Sequence, residues 1–182
     1  MSQWIPFDST NWALRLLLAQ GVIILLALLT VVSFSVPYAG DFKPFFLLMA
    51  VYYWAIYRPT VMPVAYTFVL GLILDLIAEL PVGMTALLLV AVQTLVQKSR
   101  VFLMGQPYIM VWLAFGLVCL AYAVALWFFM SLAAWNFHTL HALVYTLIAA
   151  GFSVMLFPAV SFVLQAVHRL LPVTSGPLHT VR

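Results

Sequence analysis

Six apolar runs, at roughly 16–36, 44–57, 60–79, 82–97, 107–134 and 140–166, take up most of the chain and leave only short connections between them. No motif constrains the fold as strongly. A helix rises 1.5 Å per residue, so crossing the ~30 Å hydrocarbon core of a bilayer takes ~20 apolar residues. Several of the runs reach that length. Charged residues make up 6% of the sequence, against about 25% in a soluble domain, which leaves too little polar surface to keep the chain dissolved. The chain reads as an all-α membrane protein: a single integral domain over 1–182, with residues 171–182 as a flexible tail. The connections leave no room for a soluble catalytic or nucleotide-binding domain.

Two runs are short. Residues 44–57 make only ~21 Å of helix, and 82–97 is little longer, so flanking residues extend these helices or the segments are re-entrant. Charge placement arbitrates, because cytoplasmic loops carry an excess of Lys and Arg. Six spans with a cytoplasmic N-terminus put Arg15, Arg58, Lys98, Arg100, Arg169 and Arg182 inside and only Lys43 outside. Failure of both short runs to cross would move Arg58 outside and weaken the bias. Six transmembrane helices with both termini cytoplasmic fit best. Trp4, Trp12, Tyr38, Tyr57, Tyr108, Trp112 and Trp135 fall near the expected helix ends, where amphipathic rings favour the headgroup zone. Asp8, Ser9 or Thr10 offers an N-cap before the first helix. The first run exceeds the h-region of a cleavable signal peptide and reads as a retained helix.

The seven cations are spread along the chain and form no patch for nucleic acid. No phosphate-binding glycine loop, H-E-x-x-H or G-x-S-x-G is present. Ser131, Ser153 and Ser161 lie in apolar runs without a basic partner, and read as helix–helix hydrogen-bonding groups. Cys119, the single cysteine, reads as a small buried apolar residue. His138 and His141 are three apart and share a helix face. Zinc binding together with two carboxylates is conceivable chemistry for them, and interfacial anchoring is the simpler reading. No metal or other cofactor is expected.

Asp75 is the polar residue that most needs explaining. It sits in "GLILDLIAELPVG", and an ionisable group inside a span is a functional-site hypothesis by default. On a continuous helix Glu79 would share its face, one turn on. Asp75 lies about five residues, or ~7 Å, from the expected outer end of the third helix. Three roles are open: a hydrated residue closing that helix, a polar anchor for another helix or subunit, and a proton relay. The absence of further acids at mid-membrane depth disfavours the relay, and the anchor makes Asp75 a docking point that a partner reaches. Gly71 precedes it by one turn, Pro81 ends the helix, Gly83 opens the next, and Pro59 and Pro63 begin the third helix.

These residues carry a resemblance. Residues 43–59, "KPFFLLMAVYYWAIYRP", followed by "GLILDLIAELPVG", resemble the rod-shape-determining MreD family of bacteria. That family has a proline opening helix 2, a Tyr-Trp pair nine residues later and a proline after the helix; Pro44, Tyr53, Trp54 and Pro59 match. It also has G-x-x-x-D near the end of helix 3 and a glycine eight residues past the aspartate, matched by Gly71, Asp75 and Gly83. Glu79 departs from the pattern, where a small residue is usual. The detailed match covers residues 43–89.

The resemblance implies a non-enzymatic, multi-pass component of the bacterial inner membrane. It would bind MreC directly and, in the same complex, associate with MreB, RodA and a class B penicillin-binding protein during lateral peptidoglycan synthesis. It also implies a fold similar to the S-components of energy-coupling-factor transporters. The alternative is therefore a vitamin-type binder with an outward pocket near Asp75, Glu79 and His138.

Overall fold

The structure is a computed structural model that describes residues 9–32, 34–36, 40–133 and 140–170. Trp4, Asp8, Tyr38, Trp135, His138, Arg182 and the expected 171–182 tail lie outside the described residues. Within them the chain forms six α-helices: α1 (Ser9–Val31), α2 (Phe46–Tyr57), α3 (Val64–Ile77), α4 (Met84–Met104), α5 (Tyr108–Ala133) and α6 (Leu140–Leu170). Three helices, α4, α5 and α6, contain segments long and apolar enough to cross a membrane. In α2 and α3, of 12 and 14 residues, the apolar helix is shorter than a bilayer requires.

Several expected boundaries move. The first run does not stay helical to residue 36. The helix ends at Val31, and β1 (Phe34–Val36) pairs antiparallel with β2 (Gly40–Phe42), with Ser35 opposite Asp41. The run "VVSFSV" is rich in β-branched and aromatic residues, which suit a strand, and apolarity alone does not separate strand from helix. The fold is thus helical with one two-stranded ribbon, where an all-α chain was expected. Residues 60–63 form a turn, and Pro63 is the N-cap of α3. A proline at the helix entrance loses no bond, because the first N–H groups have no intrahelical acceptor. The fourth helix runs on to Met104, past the expected end at 97, and so reaches membrane length.

Hydrogen bonds between helices show that they alternate in direction. Residues late in α3 meet residues early in α4, and Tyr108 at the start of α5 meets Ser161 late in α6. One end of the bundle therefore holds Tyr57, Tyr108 and His168, and the other holds Asp75 and the α3–α4 turn.

Helix α2 occupies the middle. Every residue from Phe46 to Ile56 is buried, and α2 packs against α1, α4 and α6. A helix that is apolar all round has no solvent face, and here the neighbouring helices enclose it. Its enclosure also answers the length problem, because non-helical backbone at membrane depth is tolerated when protein surrounds it. The donors at its start are met by hydroxyls from other helices. Ser153 Oγ of α6 accepts from Phe45 N at 2.8 Å, and Thr30 Oγ1 of α1 accepts from Leu47 N at 2.9 Å. At its far end, Gln20 Nε2 of α1 donates to Val61 O and Gln93 Nε2 of α4 donates to Met62 O, at 2.9 and 2.6 Å. Tyr52 reaches α5, donating to Val111 O at 3.0 Å, and its ring lies edge-on to Phe115 and Phe157.

The α5–α6 pair is joined through a proline. Pro158 lies inside α6 and has no N–H, so the carbonyl of Val154, four residues earlier, loses its intrahelical donor. Trp112 Nε1 of α5 donates to that oxygen at 2.9 Å. A neighbouring helix thereby satisfies the group that the proline frees, as membrane helices with internal prolines require.

Candidate functional site

The corner between α3 and α4 brings Gly71, Asp75, Pro81 and Gly83 together. Gly71 is buried against α4: a Cβ there would overlap the Ala86 backbone and stand 2.9 Å from Ala86 Cβ. The absent side chain lets the two helix backbones touch, as small residues do at membrane helix contacts. One turn later, Asp75 is 0% exposed. Its carboxylate faces the start of α4, where Oδ2 accepts from Gly83 N at 2.9 Å and Oδ1 accepts from Thr85 N at 3.2 Å.

The chemistry of this contact is that of a helix cap. The first N–H groups of a helix have no internal acceptor, and a side-chain oxygen at the N-cap usually supplies one. The N-cap of α4 is Gly83, which has no side chain and adopts a left-handed φ of 94°. Asp75 supplies the missing oxygen from the preceding helix. The G-x-x-x-D spacing thus places a close-contact position and a capping carboxylate on the same face of α3.

Glu79 does not share that face. Helix α3 ends at Ile77, and Glu79 sits beyond it with φ 54°. Leu80 N then bonds back to Asp75 O at 2.9 Å, closing the C-terminal turn of α3. That left-handed position normally favours glycine or asparagine, which gives a physical reason for a small residue where this chain carries Glu79. Its side chain is exposed. The expected carboxylate pair one turn apart is therefore absent. Pro81 is also exposed, and its carbonyl accepts from Met84 N at 3.2 Å in the turn that leads into α4.

The other predicted residues lie elsewhere. Pro44 is buried just before α2, which starts two residues later than the resemblance suggested. Tyr53 and Trp54 are near the opposite end of the bundle. Tyr53 Oη lies 3.5 Å from His168 Nδ1, and the Trp54 ring stacks on the His168 ring at 6.0 Å between centroids. Pro59 follows the C-cap Arg58 in the turn between α2 and α3.

At the Asp75 end a cavity of about 270 Å³ is lined in part by Thr30, Lys43, Phe45, Thr85, Tyr122 and Tyr145. Leu74, Ala78 and Leu80, which flank Asp75 and Glu79 in sequence, also line it, whereas the two carboxylates do not. His141 is exposed, and among the described residues no group of three or more His, Cys, Asp or Glu is placed to hold a metal.

Of the three serines, Ser153 and Ser161 bridge helices, whereas Ser131 Oγ bonds only to Trp127 O within α5. Gln20, Gln93 and Thr30 do more structural work than the sequence suggested. Their signal was an uncharged polar side chain inside an apolar run, a subtler mark than the charge of Asp75.

The architecture is that of a helical membrane protein whose buried polar side chains hold one helix to the next. A family model described as "MreD: rod shape-determining protein MreD" matches residues 12–168. The chain belongs to the MreD family, and with it to the proteins of bacterial rod-shape determination. No curated protein and no solved structure matches it, so the expected likeness to transporter S-components gains no support.

Proposed function

We propose that the chain is a non-enzymatic scaffold of the bacterial cell-elongation complex. It is a multi-pass protein of the inner membrane, with six helices and both termini on the cytoplasmic side. It binds MreC and, through the same complex, works with MreB, RodA and a class B penicillin-binding protein in lateral peptidoglycan synthesis. Membership of the MreD family over residues 12–168 carries this reading.

The geometry supports it in two ways. Polar side chains inside the bundle are engaged in holding it: Asp75 caps α4, Ser153 and Thr30 cap α2, and Gln20 and Gln93 hold the α2–α3 turn. Helices α3 and α5 also present broad apolar faces, including Ile73, Leu76, Leu117 and Leu120, that suit lipid or partner helices. Within this reading the motif Gly71, Asp75, Pro81 and Gly83 shapes the α3–α4 corner that partners meet. The Asp75 carboxylate itself is an internal clasp, because it is buried and already bonded. Pro44, Tyr53 and Trp54 set the two ends of the central helix.

Depletion in a rod-shaped host tests the function. Cells are expected to lose their rod shape and to mislocalise MreC. Retention of both would overturn the proposal.

A further inference from the structure

The Tyr57 end of the bundle holds a larger opening than the Asp75 end. A cleft of about 580 Å³ lies between α2, α5 and α6, and Tyr53, Tyr57, Tyr108, Gln165, His168 and Arg169 line it. We propose that this cleft binds the phosphate headgroup of an anionic membrane lipid, with an acyl chain lying along α6. The scaffold reading assigns no ligand to this place.

The lining carries the chemistry. It combines phenol hydroxyls, an amide, an imidazole and a guanidinium, and among the described residues no carboxylate lines it. Arg169 brings a fixed positive charge whose planar fork matches two phosphate oxygens at once. Arg58, the C-cap of α2, adds a second cation at this end of the bundle. Basic pockets between membrane helices are one recognised mode of binding anionic lipid headgroups. The volume lies within the ~300–1,000 Å³ typical of small-molecule sites.

The walls are already held in place. Tyr108 Oη and Ser161 Oγ are 2.6 Å apart, which ties α5 to α6 across the cleft. His168 is held between Tyr53 Oη at 3.5 Å and the face of Trp54. A site preorganised in this way loses less entropy on binding.

The surroundings point to a lipid in preference to free phosphate. Phe162 and Pro158 form the apolar side of the cleft. Met155 and Phe162, seven residues apart on one helical face, are 77% and 72% exposed, with Pro158 and Ala159 exposed between them. This track runs along α6 from the cleft toward the middle of the bundle. A polar, cationic cleft at the bundle end that opens onto an apolar track has the shape of an amphiphile.

The test uses the full chain in nanodiscs of equal phosphatidylglycerol and phosphatidylcholine, released into native mass spectrometry. Retained lipid should favour phosphatidylglycerol by about tenfold, and Arg169→Gln should remove that preference. Arg169→Lys should keep part of it. Lys98→Gln, on exposed α4 surface at the same end, should keep all of it, and each variant's melting temperature establishes that it folds. Equal retention of the two lipids by the wild type would overturn the proposal. So would an equal loss in Lys98→Gln, which would indicate unspecific charge attraction. Displacement of the lipid by inorganic phosphate would overturn it in favour of a soluble-phosphate site.

Discussion

Replacing Asp75 with alanine separates an internal clasp from a docking point. The carboxylate accepts from Gly83 N and Thr85 N, and Asp75 is fully buried. Removing it leaves one buried donor, Thr85 N, and one half-buried donor, Gly83 N, at the start of α4 without a partner. Loss of an N-cap side chain costs about 0.5–2 kcal/mol, and each buried group left unpaired costs about 1–3 kcal/mol. These describe overlapping effects, so a total of about 2–4 kcal/mol is expected. For a chain of this size 1 kcal/mol shifts the melting temperature by about 2–4 °C, which gives a drop of about 4–16 °C. Asp75→Asn keeps one acceptor oxygen and should lose about half as much. The assay is thermal unfolding of the purified chain alone in detergent. A docking carboxylate would leave the isolated chain unchanged and weaken only partner binding. A melting temperature for Asp75→Ala within about 1 °C of wild type, equivalent to no more than about 0.5 kcal/mol, would refute the clasp.

Three further substitutions probe the same framework. Gly71→Ala forces a Cβ into the Ala86 backbone, so the α3–α4 pair must separate, and unfolding measurements should show a loss of about 1–3 kcal/mol. Glu79→Gly removes a side chain from a left-handed position and should stabilise the chain by about 1 kcal/mol, read as a higher melting temperature. Ser153→Ala leaves Phe45 N unpaired at the start of the central helix and should cost about 1–3 kcal/mol in the same assay.

The helical character of the chain, its six helices and the α3–α4 motif were legible in the sequence, because each rests on a local property. Apolar run length marks a helix, and glycine and proline mark its ends. The G-x-x-x-D spacing showed which residues share a face of α3, but not what faces them. The acceptor role of Asp75 depends on α4 folding back, so the carboxylate read as available to a partner when it was already paired. The Glu79 pairing failed because helical spacing was carried two residues past the end of α3. The position of α2 at the centre was hidden for a different reason. In a membrane chain the lipid-facing and protein-facing sides are both apolar, so "FFLLMAVYYWAIY" looks the same in either place. Its length was the available clue, since 12 residues fall short of a bilayer. The strand Phe34–Val36, which pairs with Gly40–Phe42, was concealed at the end of an apolar run because apolarity alone does not separate strand from helix.

The scaffold assignment is tested most directly by asking whether MreC travels with this chain. The full chain, tagged and expressed at native level with its cognate partners, is extracted in mild detergent, purified and probed for MreC. The account predicts that MreC co-purifies in near-stoichiometric amount with the wild type. It also predicts that the yield of the pair with Asp75→Ala falls in proportion to the folded protein that remains. A wild-type chain that is folded and purifies without MreC would contradict the account at its centre.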